Sequence, residues 1–73
     1  MHKGKGKISN NLKKLRQNAG MTQQQLADIV GVTRQTIIAI EANKYSPSLE
    51  VAFIIAQVLR VKIDDVFSYL RSP

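Results

Sequence analysis

Residues 21–44 read MTQQQLADIVGVTRQTIIAIEANK. Thr22 is placed to cap a helix, and Gln25, three residues on, completes a capping box. Met21 before the cap and Leu26 after it stand where a hydrophobic staple sits. Leu26, Ala27 and Val30 have the spacing of one inward helix face. Gly31 follows at once, where a helix end favours a residue that tolerates positive φ. Thr33 then caps a second helix, with Val32 and Ile37 as its staple. Ile37 and Ile40 point inward, one turn apart, which leaves Arg34, Gln35, Ile38 and Ala39 outside. Two short helices joined by so tight a turn form a helix-turn-helix, the arrangement that places the start of its second helix in the DNA major groove.

The residues that carry this pattern resemble the Cro and lambda-type repressor family of bacterial and phage DNA-binding domains (the xenobiotic response element type). The resemblance rests on the T-Q-x-x-L-A run from Thr22, the G-V-T turn and the R-Q-T-I start of the recognition helix. The I-E ending, K-Y-S-P-S-L and the late I-D-D-V-F extend it, so that it spans about residues 12–67. It implies an all-α, five-helix, lambda-repressor-like domain with the helix-turn-helix at about residues 22–41. The domain itself is expected over residues 8–71.

Composition agrees with that reading. Seventy-three residues allow one small domain with one modest core. Eleven Lys and Arg against five Asp and Glu give a formal charge of +6, which favours a polyanion as partner. Two Phe and two Tyr are too few for a platform on which single-stranded bases stack. There is no cysteine, hence no disulfide and no thiolate metal site, which fits a reducing cytosol. No apolar run is long enough to span a bilayer, and no secretory signal is visible. The expected location is therefore the cytoplasm, on the nucleoid, and a membrane partner is not expected. His2 has no partner in the pattern, and no Ser/His/Asp, Cys/His or metal-ligand cluster exists. No enzyme activity, metal or cofactor is expected, and no small-molecule domain is visible in the chain.

Residues 1–7 (MHKGKGK) alternate Gly and Lys without apolar pattern. They are expected to form a flexible basic tail. An arm that touches phosphates is one reading of it, and a solvated tail is the one favoured. Residues 9–19 read as the first helix, capped by Ser9 or Asn10, with Leu12, Leu15 and Ala19 as its buried stripe. Gly20 ends it. Beyond the recognition helix, Asn43 stands where relatives often carry Gly, and Asn is the next best residue for a left-handed helix end. Ser46 or Ser48 caps a fourth helix over about residues 49–59. Leu49, Ala52, Ile55, Ala56 and Leu59 are its expected core stripe, but Val51, Phe53, Ile54 and Val58 are apolar too, so it must hide more than one face. Arg60 and Lys62 replace the Gly or Asn and the Ser that relatives tend to have, so the last helix begins without a good cap. Asp64 and Asp65 still suit its positive end. Ile63, Val66, Phe67 and Leu70 are its anchors.

Site roles follow partly from position and partly from the resemblance. Arg34 can give two hydrogen bonds to a guanine, and Gln35 suits an adenine. Thr36 can reach a phosphate or a base. Ala39 can meet a thymine methyl, and Ile38 can do the same or face solvent. Gln23, at the start of the second helix, can meet a phosphate where free N–H groups attract an anion. The resemblance implies further phosphate contacts at Thr33, Asn43, Lys44 and Ser46, and an ion pair between Arg16 and Glu41. It also implies pairing of two copies on palindromic double-stranded operator DNA, with repression by promoter occupancy as the expected outcome. Ile54, Val58, Phe67, Tyr69 and Leu70 are the candidates for the dimer seam. The competing reading is an antitoxin that neutralises a toxin and represses its own operon.

Overall fold

The computed structural model describes residues 6–71. Five helices and two strands follow in the order β1 (Gly6–Asn10), α1 (Leu12–Asn18), α2 (Gln23–Val30), α3 (Arg34–Glu41), α4 (Leu49–Leu59), α5 (Ile63–Val66) and β2 (Phe67–Arg71). The five-helix expectation holds, but the domain is not purely helical. β1 and β2 pair antiparallel, with Ile8 opposite Tyr69 and Asn10 opposite Phe67. Gly6 and Lys7, read from sequence as the end of a flexible tail, belong to this sheet. The rest of that expectation, on residues 1–5, lies outside the described residues.

The sheet exists because both chain ends stop being helical early. Residues 9 and 10 are extended rather than the first turn of a helix. The Asn11 N–H donates to the Val66 carbonyl at 2.8 Å, and the Asn10 Oδ1 accepts from the Leu12 N–H at 2.9 Å. The latter bond satisfies one of the unpaired amides at the start of α1. At the other end, α5 is one turn long, and Phe67 is already extended at φ −121°, ψ 145°. Tyr69 and Leu70 are therefore on a strand, not on a fifth helix, and successive strand residues face opposite sides. Gly6 permits the pairing: a Cβ there would lie 2.5 Å from the Leu70 carbonyl oxygen and from the Tyr69 ring.

The core is built from one face of each helix. Leu12, Leu26, Ala27, Val30, Ile37, Ile40, Ile55, Ala56 and Val66 form one buried cluster. Each methylene removed from water there contributes roughly 0.8 kcal/mol. Ala19 and Leu49, expected in buried stripes, are not in it: Ala19 is exposed, and Leu49 is 70% exposed. Ala19 follows the last residue of α1. Leu49 is the first residue of α4 and lines a surface cleft instead. Ile54, a candidate for the dimer seam, is half-buried and packs on the core, as do Val51, Val58 and Leu59.

The helix ends use local chemistry. Of the two serines that could start α4, Ser48 is the cap, accepting from the Val51 N–H at 3.2 Å. Lys62 has no capping side chain, and Asp65 compensates: its carboxylate accepts from the Lys62 N–H at 3.0 Å. Arg60 takes the left-handed conformation, φ 59°, that relatives would give to Gly or Asn. The Val61 N–H then reaches back to the Ala56 carbonyl at 3.0 Å, closing α4.

Candidate nucleic-acid interface

α2 and α3 are set against one another by their caps. The Thr22 hydroxyl accepts from the Gln25 N–H at 3.0 Å, and the Gln25 side-chain oxygen accepts from the Thr22 N–H at 2.8 Å. This is a complete capping box. Gly31, at φ 89°, turns the chain out of α2, and the Val32 N–H bonds the Ala27 carbonyl at 3.0 Å. Thr33 then caps α3 through its hydroxyl, which accepts from the Thr36 N–H at 3.2 Å. Leu26, Ala27 and Val30 of α2 face Ile37 and Ile40 of α3 within one core.

With Ile37 and Ile40 buried, the remaining phase of α3 is turned away from the core. Arg34 and Gln35 are exposed at its start, and Thr36, Ile38 and Ala39 are half-buried. The Thr36 hydroxyl lies 3.0 Å from that of Thr33, so the two share one hydrogen bond. Thr33, Asn43 and Lys44 are exposed, as is Ser46, which lines a surface cleft with Pro47 and Leu49. Asn43 takes φ 59°, the left-handed conformation, and the Lys44 N–H bonds the Ala39 carbonyl at 2.9 Å. That bond ends α3 and carries the chain into the loop where Lys44 and Ser46 stand.

An ion pair fixes the far end of α3. The Arg16 Nε donates to Glu41 Oε2 at 2.6 Å, and its Nη2 donates to Oε1 at 3.2 Å. The two side chains are only 9% and 6% exposed. The third guanidinium nitrogen, Nη1, donates to the Met21 carbonyl at 2.8 Å, just before α2. One arginine of α1 thus ties together the start of α2 and the end of α3. Gln23 joins the same network: its Nε2 donates to Glu41 Oε1 at 3.1 Å. The residue expected to meet a phosphate therefore has its amide oriented by the ion pair.

Sequence reasoning missed one participant. The Asn10 Nδ2 donates to the Ile40 carbonyl and to Asn43 Oδ1, each at 2.8 Å. Asn10 was visible as a possible helix cap, but its contacts with residues 30 and 33 positions away have no local signature. The dimer candidates fall into two groups. Val58 and Phe67, like Ile54, are half-buried and pack on the core, whereas Tyr69 and Leu70 are 43% and 50% exposed. Ile8, Pro47, Leu49, Ala52, Ile63 and Phe67 line an apolar cleft of about 310 Å³. Ile8 and Leu49 were not among the candidates. No helix among the described residues is long and apolar enough to cross a membrane.

Comparison with known proteins agrees with this geometry. The family described as helix-turn-helix matches residues 12–66. An uncharacterized HTH-type transcriptional regulator of Methanocaldococcus jannaschii is 53% identical over 62 residues, covering 85% of this chain and 94% of the relative. Among solved structures, the restriction-modification controller protein C.AhdI of Aeromonas hydrophila superposes with a TM-score of 0.70 at 26% identity. That match covers 74% of this chain and 82% of the other. The transcriptional regulator VanUg, at 23% identity, shares the fold over 99% of this chain and 96% of its own, with a TM-score of 0.78.

Proposed function

This chain belongs to the Cro/lambda-repressor type of helix-turn-helix family, and we propose that it reads duplex DNA with the start of α3 and represses transcription as a homodimer on a palindromic operator. It is a transcriptional regulator with a helix-turn-helix DNA-binding domain. The observation that carries the finer reading is the exposure of Arg34 and Gln35 on a helix whose two ends are both pinned, by the Thr33 cap and by the Arg16–Glu41 pair. Side chains that read bases must be held on a rigid support, because a shift of an ångström breaks bidentate geometry.

In this reading Arg34 donates to guanine O6 and N7, and Gln35 pairs with adenine. Thr36, Ile38 and Ala39 set the contact with neighbouring bases and thymine methyls. A bidentate pair contributes roughly 1–3 kcal/mol of discrimination. Gln23 at the start of α2, and Thr33, Asn43, Lys44 and Ser46 around α3, hold phosphates on either side of the groove. One domain spans too few bases for useful specificity, so two copies bind half-sites about one helical turn, roughly 34 Å, apart. The surface offered for pairing is the apolar cleft lined by Leu49 and Ile8, continued by the exposed Tyr69, which pairs opposite Ile8; Leu70 faces the other side of the strand. With around six phosphates neutralised, log affinity falls against log salt with a slope of roughly −5.

The test is selection of bound sites from random duplexes by the protein and by Arg34→Ala. The protein should return a two-fold symmetric site, and the variant should lose preference at one base pair of each half-site. An unchanged selected motif with Arg34→Ala contradicts the assignment.

A further inference from the structure

The geometry points to Asn10 as a positioning residue for phosphate binding: it holds the Asn43 side chain with its amide nitrogen turned outward. The inference rests on the reading above, in which Asn43 meets the DNA backbone. It concerns a residue of β1, outside the helix-turn-helix.

The orientation of the Asn10 amide follows from its backbone neighbours. Its Oδ1 accepts from the Leu12 N–H, a group that can only donate. Its Nδ2 faces the Ile40 carbonyl, a group that can only accept. Exchanging oxygen and nitrogen in Asn10 would break both bonds at once. Nδ2 is therefore the atom that meets Asn43, and Asn43 must offer Oδ1 to it, as it does at 2.8 Å. The Asn43 Nδ2, with two hydrogens, is left for the other side of an exposed residue.

A phosphate oxygen only accepts hydrogen bonds, so an amide facing it is useful only when the nitrogen is outward. A free asparagine on a loop spends part of its time with the oxygen outward, which opposes an anion. Asn10 removes that alternative before DNA arrives, which lowers the ordering cost of binding. The backbone helps. Asn43 sits at φ 59°, and its N–H and the Asn10 Nδ2 both donate to the Ile40 carbonyl. The side chain thus projects from a fixed helix end. Asn10 is itself fixed by the sheet, opposite Phe67. The pairing of the chain ends is in this way linked to a contact at the end of the recognition helix.

A double-mutant cycle tests the link. The variants are Asn10→Ala, Asn43→Gly and the two combined. Gly is chosen at position 43 because it accepts the left-handed backbone that Ala would strain. Affinity is measured on the duplex selected by the wild-type protein, at a temperature where thermal melting shows every variant folded. Loss of one such hydrogen bond weakens binding about 5-fold. Asn43→Gly and Asn10→Ala should each show a loss of that order, alike on the selected duplex and on a scrambled one. The double variant should be no weaker than the worse single variant, because Asn10 acts through Asn43.

Losses that multiply in the double variant overturn the inference, as does wild-type affinity in either single variant. Arg34→Ala, run beside them, separates the two levels of the argument. If it relaxes base preference while the Asn variants behave independently, only the positioning role falls. If Arg34→Ala changes nothing and no duplex is selected, both fall together.

Discussion

Replacing Arg16 by Ala should be among the most damaging single changes in this chain. The reason is what it leaves behind. Glu41 is 6% exposed at the side chain and receives three hydrogen bonds, two from Arg16 and one from the Gln23 amide. Without Arg16 its carboxylate keeps only the Gln23 bond and no opposing charge. The Met21 carbonyl also loses the Arg16 Nη1 donor. Removing one partner of a buried pair costs about 3–5 kcal/mol, because the other charge is stranded. A domain of this size shifts its melting temperature by roughly 4–8 °C per kcal/mol, so the lower bound is a fall of about 12 °C. The assay is urea unfolding followed by circular dichroism, with a thermal melt alongside. Protein concentration must be fixed, since pairing of copies would make the midpoint depend on it. The apolar pair Arg16→Met with Glu41→Leu should recover much of the loss, as buried pairs replaced by packed apolar residues often do. A loss below about 1 kcal/mol for Arg16→Ala, the scale of exposed pairs, would refute the argument.

Other substitutions probe the turns and the sheet. Gly31→Ala places a Cβ on a residue at φ 89° and should cost about 1 kcal/mol by urea unfolding. Arg60→Gly should act in the opposite direction, raising stability by up to about 1 kcal/mol, because Arg60 holds φ 59° at the end of α4. Unchanged or lowered stability would show that the Arg60 side chain compensates for its backbone. Gly6→Val should separate β1 from β2, since the added Cβ meets the backbone oxygen of Leu70. Amide hydrogen exchange should then accelerate in both strands and stay slow in α2 and α3; unaltered exchange in the strands would be the contrary result.

The helix-turn-helix is legible in the sequence because its signals are local. Thr22 with Gln25, Gly31, and Thr33 each act within a few residues, and each is found in the expected role. The inward face of α2 and α3 follows from helical period alone. The Arg16–Glu41 contact spans 25 residues, and no period links its partners; the family resemblance, rather than the spacing, pointed to it. The terminal sheet is further removed, since it pairs residues about sixty apart and neither strand has a strong alternating pattern. GKISN lacks one, and FSYLR continues directly from helical residues. The apolar α4 misled for a different reason. With so many apolar positions, period cannot rank its faces and places Leu49 in the core, where the structure leaves it 70% exposed. Asn10 illustrates the same boundary within the site: a cap signal was readable, but its bonds to Ile40 and Asn43 arise only from tertiary packing.

Chemical-shift mapping on adding the selected duplex probes the base-reading surface most directly. The largest amide perturbations should fall over residues 34–39, with smaller ones at Gln23, Asn43 and Lys44. Perturbations confined to the cleft side of the molecule, around Ile8, Leu49 and Ile63, with residues 34–39 unmoved, would contradict base reading by α3.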